Sequence, residues 1–137
     1  MQINDIEKQI RSLRIEQQIK FKDLQIHGVS RSKIDNIESG RNYKIGSLFR
    51  YLERLAMYLV VDGETIEDIE SFGKFLAHKR VSMKILTDDI KHKIKLNPQQ
   101  ISSIENGREY TKESLLKYIE VVNVDFDLIS MSKVFGL

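Results

Sequence analysis

Two short stretches of the chain carry polar side chains of the types that hydrogen-bond to the edges of nucleic-acid bases. Arginine and lysine can bind N7 and O6 of guanine, and glutamine can bind N6 and N7 of adenine. Taken singly, each such residue can equally be an ordinary exposed polar side chain, so the two sets have to be considered together. The candidate base-reading residues are Arg31, Ser32, Lys33 and Asn36 in the first stretch, and Gln99, Gln100 and Ser103 in the second.

Pairs of isoleucines indicate how these side chains are presented. Ile34 and Ile37 lie in the first stretch, and Ile101 and Ile104 lie in the second. A spacing of three is typical of a helix with one buried face. The polar residues then lie on the other faces, near the start of each helix. That end reaches the base edges when such a helix enters the major groove.

The residue types needed for catalysis or metal binding do not come together in the sequence. The three histidines, His27, His78 and His92, share no metal-ligand spacing, and the chain has no cysteine. The carboxylates Asp88 and Asp89 are better explained by the positive end of a helix dipole. The glycines stand singly rather than in a phosphate-binding loop. We therefore expect that the protein is not an enzyme and uses no metal or cofactor.

The two stretches belong to an internal repeat. Residues 34–51 and 101–118 align at an offset of 67 residues, with nine identities among 18 positions. Such a repeat predicts two copies of one small domain. Each copy would be near the lower size limit for folding alone, so we expect the copies to support each other. The identical pairs are Ile34/Ile101, Ile37/Ile104, Glu38/Glu105, Gly40/Gly107, Arg41/Arg108, Tyr43/Tyr110, Ser47/Ser114, Leu48/Leu115 and Tyr51/Tyr118.

The hydrophobic pattern predicts an all-α fold. Apolar residues recur at intervals of three and four over most of the chain. The single proline, Pro98, leaves long helices open almost everywhere. The stretch VNVDFDL at 122–128 is the main exception, because it alternates with period two. A tail in extended conformation is therefore compatible with the pattern.

Charge divides the chain into three parts. Residues 1–61 carry 11 basic and 7 acidic side chains, whereas residues 62–71 carry five acidic side chains and no basic ones. Residues 72–137 carry 11 basic and 8 acidic side chains. We therefore predict domains at 1–61 and 72–128, an acidic linker at 62–71 and an apolar C-terminal tail at 129–137. Charges that merely decorate solvated helix faces are the simpler explanation of the charge pattern alone.

Capping residues predict the same helix-turn-helix in each copy. In the second copy, Thr87 and Asn97 are predicted helix N-caps, and Pro98 follows at the first helical position, where its missing N–H is not needed. Gly107 supplies the left-handed residue that ends that helix. The corresponding residues of the first copy are Ser30 as the cap and Gly40 as the end.

Both copies resemble the lambda-repressor/Cro-type (XRE) family of helix-turn-helix DNA-binding proteins. The family pattern has an arginine at the end of helix one, a block I-x-x-I-E-x-G-R that ends helix three, and S-L-x-K-Y-I in helix four. This chain has Arg14 and Arg80, IDNIESGR at 34–41 and ISSIENGR at 101–108, and SLFRYL at 47–52 and SLLKYI at 114–119. The resemblance covers most of residues 3–61 and 70–124. It implies a tandem duplication of a small, all-α, lambda-repressor-like domain of four or five helices.

The resemblance also implies roles for particular side chains. It pairs Arg14 with Glu38, and Arg80 with Glu105, as structural ion pairs. A charged residue directly after an inward isoleucine needs such a partner unless it is solvated. DNA phosphates would be held by basic side chains and by backbone amides at the start of helix two. The implied phosphate ligands are Lys20, Phe21, Lys22, Arg41, Thr87 and Arg108.

Together these features predict a sequence-specific regulator of transcription, and more specifically a repressor, with two units in the major groove of double-stranded DNA. The alternative is a protein-interaction module of this fold, such as an antitoxin or an adaptor, which would have a protein partner. The modest net charge of +2 slightly favours that alternative. The apolar tail can dock on its own chain or on a second copy, and we favour the homodimer.

The sequence gives no sign of targeting to a membrane. The start, MQINDIEKQI, lacks the pattern of a signal peptide. No apolar run approaches the roughly 20 residues that a membrane-spanning helix needs. We therefore expect a cytoplasmic protein without a membrane partner.

Overall fold

The computed structural model describes residues 1–136 and shows two units of four helices each. The first unit contains α1 (Ile3–Glu16), α2 (Phe21–Ile26), α3 (Arg31–Glu38) and α4 (Ile45–Arg54). The second unit contains α5 (Ile69–Ser82), α6 (Thr87–Ile94), α7 (Pro98–Glu105) and α8 (Lys112–Val122). Strands β1 (Met57–Val61), β2 (Glu64–Ile66) and β3 (Phe126–Ser130) and the short helix α9 (Met131–Val134) complete the described elements.

The three strands form one antiparallel sheet in the order β2–β1–β3. In the β1–β2 hairpin, Asp62 and Gly63 supply the two turn residues with positive φ, 50° and 82°. On the other edge of β1, Leu59 lies opposite Leu128 of β3. The prediction of an all-α fold is therefore wrong, and the chain is a mixed helix-and-sheet protein. The run MYLVV of β1 suits a strand, and its pairing with β3 outweighs any continuation of α4.

The sheet also accounts for two segments that the sequence sets apart from the domains. Residues 62–71, predicted as an acidic linker, form the hairpin turn, β2 and the start of α5. Residues 129–136 of the predicted apolar tail form the end of β3, α9 and the two residues after it, and Leu137 lies outside the described residues. Phe135 packs edge-on against Tyr58 of β1, with 6.4 Å between the ring centroids. Both segments therefore belong to the layer of sheet that joins the units.

Capping residues fix the starts of α3 and α7. Ser30 Oγ accepts a hydrogen bond from the backbone N–H of Lys33, and Asn97 Oδ1 accepts one from the N–H of Gln100. These bonds satisfy amide groups that the first turn of a helix leaves without a partner. Pro98 occupies the first turn of α7, as its fixed φ favours.

The starts of α2 and α6 are capped in a different way. Thr87 is the first residue of α6 rather than its N-cap, because Leu86 takes the cap position. Asp89 reaches back and accepts a hydrogen bond from the N–H of Leu86 at 3.0 Å. In the first unit Asp23 accepts from the N–H of Lys20 at the same distance. The predicted Thr87 cap is therefore wrong, since an aspartate in the first turn satisfies the cap amide instead.

Equivalent residues of the two units face each other, so an approximate two-fold axis relates the units. Lys44 and Thr111, which are 67 positions apart, form an isolated antiparallel bridge. The residues on either side exchange backbone hydrogen bonds of 2.9 and 2.8 Å across this pair. In the sheet Val60 lies opposite Asp127, which is again 67 positions later. Two such pairs of equivalent residues give one polypeptide the arrangement of a dimer.

A buried ion pair connects the units next to this axis. Lys112 Nζ, at the start of α8, lies 2.8 Å from Glu7 Oε2 of α1, and their side chains are only 4% and 1% exposed. Lys112 also donates to Asn4 Oδ1 and to the carbonyl of Gly40, at 3.1 and 3.0 Å. Tyr43 donates its hydroxyl to Glu7 at 2.6 Å. The buried ammonium thus has three kinds of acceptor, which is what a buried charge requires.

Apolar side chains from both units form one continuous core. Phe72 of α5 contacts Phe49 of α4 and Phe126 of β3, with ring centroids 6.0 and 6.3 Å apart. The units therefore share their core, as expected for copies too small to be stable alone. Among residues 1–136, no helix combines the length and the apolar character needed to cross a membrane.

Candidate nucleic-acid interface

An arginine, a glutamate and a tyrosine tie three helices of the first unit together. Arg14, near the end of α1, donates to both carboxylate oxygens of Glu38 at 2.7 and 3.0 Å. Tyr51 of α4 donates its hydroxyl to Glu38 Oε2 at 2.6 Å. The bond to Glu38 raises the pKa of Arg14, while burial and then Glu38 raise the pKa of Tyr51 far above its ordinary value. Both donors therefore keep their protons, and α1, α3 and α4 are tied at one point.

The second unit repeats this arrangement with nearly identical geometry. Arg80 donates to Glu105 at 2.7 and 3.0 Å, and the hydroxyl of Tyr118 donates to Glu105 at 2.6 Å. Burial, followed by the bond to Glu105, raises the pKa of Tyr118. The tyrosine was not predicted as a partner of the ion pair. The available signal was a tyrosine 13 residues after the glutamate in both copies.

The start of α2 presents positive charge around an aromatic ring. Lys20, which is the N-cap of this helix, and Lys22, in its first turn, are both exposed. Phe21 is half-buried between two guanidinium groups, with Arg14 4.8 Å and Arg31 5.2 Å from the ring centroid. Such cation–π contacts orient both arginines. Three predicted DNA ligands of the first unit, Lys20, Phe21 and Lys22, thus lie together with the predicted reader Arg31.

A polar cleft of about 490 Å³ lies beside α3 and includes the predicted phosphate ligand Arg41. Arg11 and Arg14 line the same cleft, together with Asp35 and Glu38. Arg11 Nε is 3.7 Å from Glu38 Oε1 and its side chain is 61% exposed. Arg11 was not predicted, although its position three residues before Arg14 on α1 places it on the same side of that helix. The cleft therefore brings together the guanidinium groups of Arg11, Arg14 and Arg41.

The predicted reading residues of α3 are open to solvent. Arg31 and Ser32 are exposed, and Lys33 and Asn36 are partly exposed. The isoleucines of this helix are fully buried, as their spacing predicts. The polar residues consequently occupy the outer side of α3, where a nucleic acid can reach them.

The predicted reading residues of α7 line a smaller cleft of about 340 Å³. Gln99 is exposed there, and Ser103 is partly exposed. Gln100 already uses its Oε1 to accept from the N–H of Asn97 at 3.0 Å, so only its amide NH₂ is free to donate outward. Tyr110 also lines the cleft, and its buried hydroxyl has no hydrogen-bond partner among the described residues. Sequence reasoning missed Tyr110, since a repeated apolar position gives no hint of an unpaired hydroxyl.

The two units differ in charge at equivalent positions of this surface. In the second unit, Thr87 and Arg108 are exposed as phosphate ligands must be, but most positions equivalent to the cations of the first unit carry no positive charge, and the exposed lysines of α6, Lys91 and Lys93, stand at other positions. We call the five cations of α2, α3 and the following turn the basic surface of the first unit. It consists of Lys20, Lys22, Arg31, Lys33 and Arg41, and the second unit has Leu86, Asp88, Pro98, Gln100 and Arg108 at the same places. At these five positions the first unit thus has five cations, whereas the second unit has one cation and one carboxylate.

Comparisons of the chain with protein-family models, with curated proteins and with solved structures found no match. The function has therefore to be inferred from the residues of the two units and from their geometry. The basic surface of the first unit and the cleft beside α7 in the second unit are the two features that bear on it.

Proposed function

We propose that this protein binds double-stranded DNA through both helix-turn-helix units and acts as a sequence-specific transcriptional regulator, specifically a repressor. The observation that carries the proposal is the basic surface of the first unit, where five exposed or partly exposed cations surround one helix-turn-helix. Cations that neutralise phosphates release condensed counterions, and this release drives binding to DNA. On this proposal the protein works in the cytoplasm, together with the DNA that it binds.

The outer sides of α3 and α7 would supply the sequence preference. A helix of this kind enters the major groove with its N-terminal residues against the base edges. Arg31 and Lys33 are suited to guanine, whereas Gln99 is suited to adenine. Because the two helices differ in sequence, the two halves of the bound site would differ as well. The approximate two-fold axis supports two reading helices within one chain.

Binding to a randomised pool of duplexes, followed by anisotropy titrations of the selected sequence at several salt concentrations, tests this function. We expect the logarithm of the affinity to fall linearly with the logarithm of the salt concentration. Arg41→Ala should lower that slope by about one unit for every sequence. Gln99→Ala should instead relax the preference at one base position by roughly 1–3 kcal/mol. A chain that selects no sequence and shows no salt-dependent binding to any duplex would contradict the proposal.

A second candidate function is that of a protein-interaction module, such as an antitoxin or an adaptor. Three large apolar side chains are exposed between the last turn of α5 and the start of α6: Val81 at 62%, Met83 at 45% and Leu86 at 67%. Exposed apolar side chains of this size are typical of a protein contact more than of a phosphate contact. Leu86→Asp separates the two functions, because it would disrupt a protein contact at α6 but leave the basic surface of the first unit unchanged.

A further inference from the structure

The approximate two-fold axis relates two clefts between the units, and these clefts differ greatly in size. One cleft, of about 680 Å³, is lined by Gly46, Phe49, Gly107 and Glu109, among others. Its counterpart, of about 190 Å³, is lined by the equivalent residues Glu113, Leu116, Gly40 and Asn42 and by Lys112. The larger cleft, which we call the inter-unit groove, continues over the sheet towards α9. The chain has thus filled one cleft and left its counterpart open.

The inter-unit groove combines apolar walls with an acidic rim. Glu53 and Glu67 are exposed at the rim, and Asp68 lies next to them at the start of α5. Among residues 1–136, Arg50 is the single cation that lines the groove, and it donates to Ser47 Oγ at 3.3 Å. An occupant should therefore be apolar and should carry positive charge. The apolar lining includes Phe49, Leu52, Tyr58, Ile66, Ile69 and Met131.

Helix α9 has the complementary chemistry and lies directly beside the groove. Met131, its first residue, lines the groove, as does Tyr58, which Phe135 contacts. Val134 and Phe135 nevertheless remain 40% and 64% exposed. Lys133, between Met131 and these residues, is also exposed and is the only charged residue of α9. The segment is apolar and basic, and its outer side is not covered by the other described residues of its own chain.

We propose that two copies of this chain form a dimer in which α9 of each copy lies in the inter-unit groove of the other. The helix and the groove are adjacent on one face, so a two-fold axis between two such faces satisfies both contacts at once. Val134 and Phe135 supply the apolar contact, and Lys133 meets the acidic rim at Glu53 and Glu67. This inference does not depend on DNA binding, since the interface uses neither α3 nor α7.

Sedimentation equilibrium of the full chain without DNA tests the dimer. We expect a monomer–dimer equilibrium, and Phe135→Asp should raise the dissociation constant about tenfold or more, because it places a charge in the apolar centre of the interface. Ile15→Asp is the matched control, since Ile15 is exposed to a similar degree but lies near the end of α1. It should leave the dissociation constant unchanged. A wild-type chain that stays monomeric at all concentrations, or a dimer that Phe135→Asp does not weaken, overturns the proposal.

A charge exchange tests the placement of α9 in the groove. Lys133→Glu and Glu67→Lys should each weaken the dimer by roughly threefold, as expected for exposed ion pairs. The double variant, which restores opposite charges, should recover most of the wild-type affinity. If the two substitutions weaken the dimer additively, α9 does not lie against this rim.

Discussion

The two units share their internal anchor but differ in the surface that they present. Each unit ties its first, third and fourth helices together with the same arginine, glutamate and tyrosine, and corresponding distances agree within 0.1 Å. At the five positions of the first unit's basic surface, the second unit carries only one cation. The difference indicates that the anchor sets the fold of each unit, while the outer residues determine what each unit can bind.

The units also differ inside, at the position of Glu7. Its equivalent in the second unit is Gly73, where a Cβ atom would lie only 2.5 Å from the carbonyl oxygen of Ile104. The first unit thus places a buried carboxylate between its helices, whereas the second brings the helices α5 and α7 into direct backbone contact. As a result Tyr43 has a hydrogen-bond acceptor, and the equivalent Tyr110 has none.

Among the substitutions that test this comparison of the two units, we expect the largest loss of stability at the buried ion pair between Glu7 and Lys112. Lys112→Met leaves Glu7 buried without its cation, and it should lower the free energy of unfolding by about 3–5 kcal/mol. The measurement is equilibrium unfolding in urea. The control is the double variant Glu7→Leu/Lys112→Met, which removes both charges and should be more stable than the single variant. Equal stability of Lys112→Met and the wild type would show that the pair does not hold the units together.

A smaller effect should separate the two equivalent tyrosines. Tyr43→Phe removes a hydrogen bond to a buried carboxylate and should lower the free energy of unfolding by about 2 kcal/mol. Tyr110→Phe removes a hydroxyl that has no partner, so it should be neutral or slightly stabilising. Thermal unfolding of both variants measures the difference. Equal losses at the two positions would mean that the units do not differ in this respect.

The N-caps of α1 and α5, which are the first helices of the two units, should differ by still less in their contribution to the free energy of unfolding. Asp68 Oδ1 accepts from the N–H of Ser71 at 2.7 Å, whereas the equivalent Gln2 makes no side-chain cap bond to α1. Asp68→Ala should therefore lower the free energy of unfolding by about 1 kcal/mol, and Gln2→Ala by less. Thermal unfolding at neutral pH measures both losses.

The Asp68 contribution should also depend on pH. The hydrogen bond from the backbone of Ser71 lowers the pKa of Asp68. A carboxylate with a lowered pKa stabilises the fold above its unfolded-state pKa of about 3.9, and this stabilisation is lost as the pH falls through the folded-state value. The difference in the free energy of unfolding between the wild type and Asp68→Ala should therefore become smaller at acidic pH. A difference that stays constant down to strongly acidic pH would exclude the cap carboxylate as its source.

The smallest effect concerns the position just before the second helix of each unit, which is Lys20 in the first unit and Leu86 in the second. Lys20→Leu should reduce the salt dependence of DNA affinity by about one unit, and Leu86→Lys should increase it by about one unit, because each change removes or adds one phosphate contact. The double exchange should return the slope to its wild-type value. Slopes that change for Lys20 but not for Leu86 would show that α6 does not approach DNA.

Features that depend on residues within one unit were largely predictable from the sequence. The isoleucine spacing and the caps Ser30 and Asn97 locate α3 and α7, because these are local preferences of the chain. The hairpin was missed, although Asp62-Gly63 directly after the apolar run MYLVV is itself a hairpin signal. The acidic character of residues 62–71 led to the prediction of a linker instead.

Features that depend on contacts between the units could not be predicted from local patterns. Lys112 occupies the place of Ile45 in the repeat, and its partner Glu7 is 105 residues away. Nothing near either residue indicates that it is buried. Likewise, the period-two stretch that overlaps the start of β3 does not show which strand it pairs with. The burial of this ion pair and the partner of β3 depend on how the second unit packs on the first, and no single segment encodes that packing.

The central position of β1 has a consequence for the order in which the protein folds during synthesis. Its partner β2 follows after a two-residue turn, and such a hairpin closes within about 1–10 microseconds. Its other partner, β3, begins at Phe126, 65 positions after the end of β1 at Val61, so at roughly 5–20 residues per second the ribosome needs several seconds to deliver it. During that interval the second edge of β1 has no partner. An open edge can pair with a neighbouring nascent chain. The speed of translation through α5–α8 therefore sets how long each new molecule is exposed to misassembly.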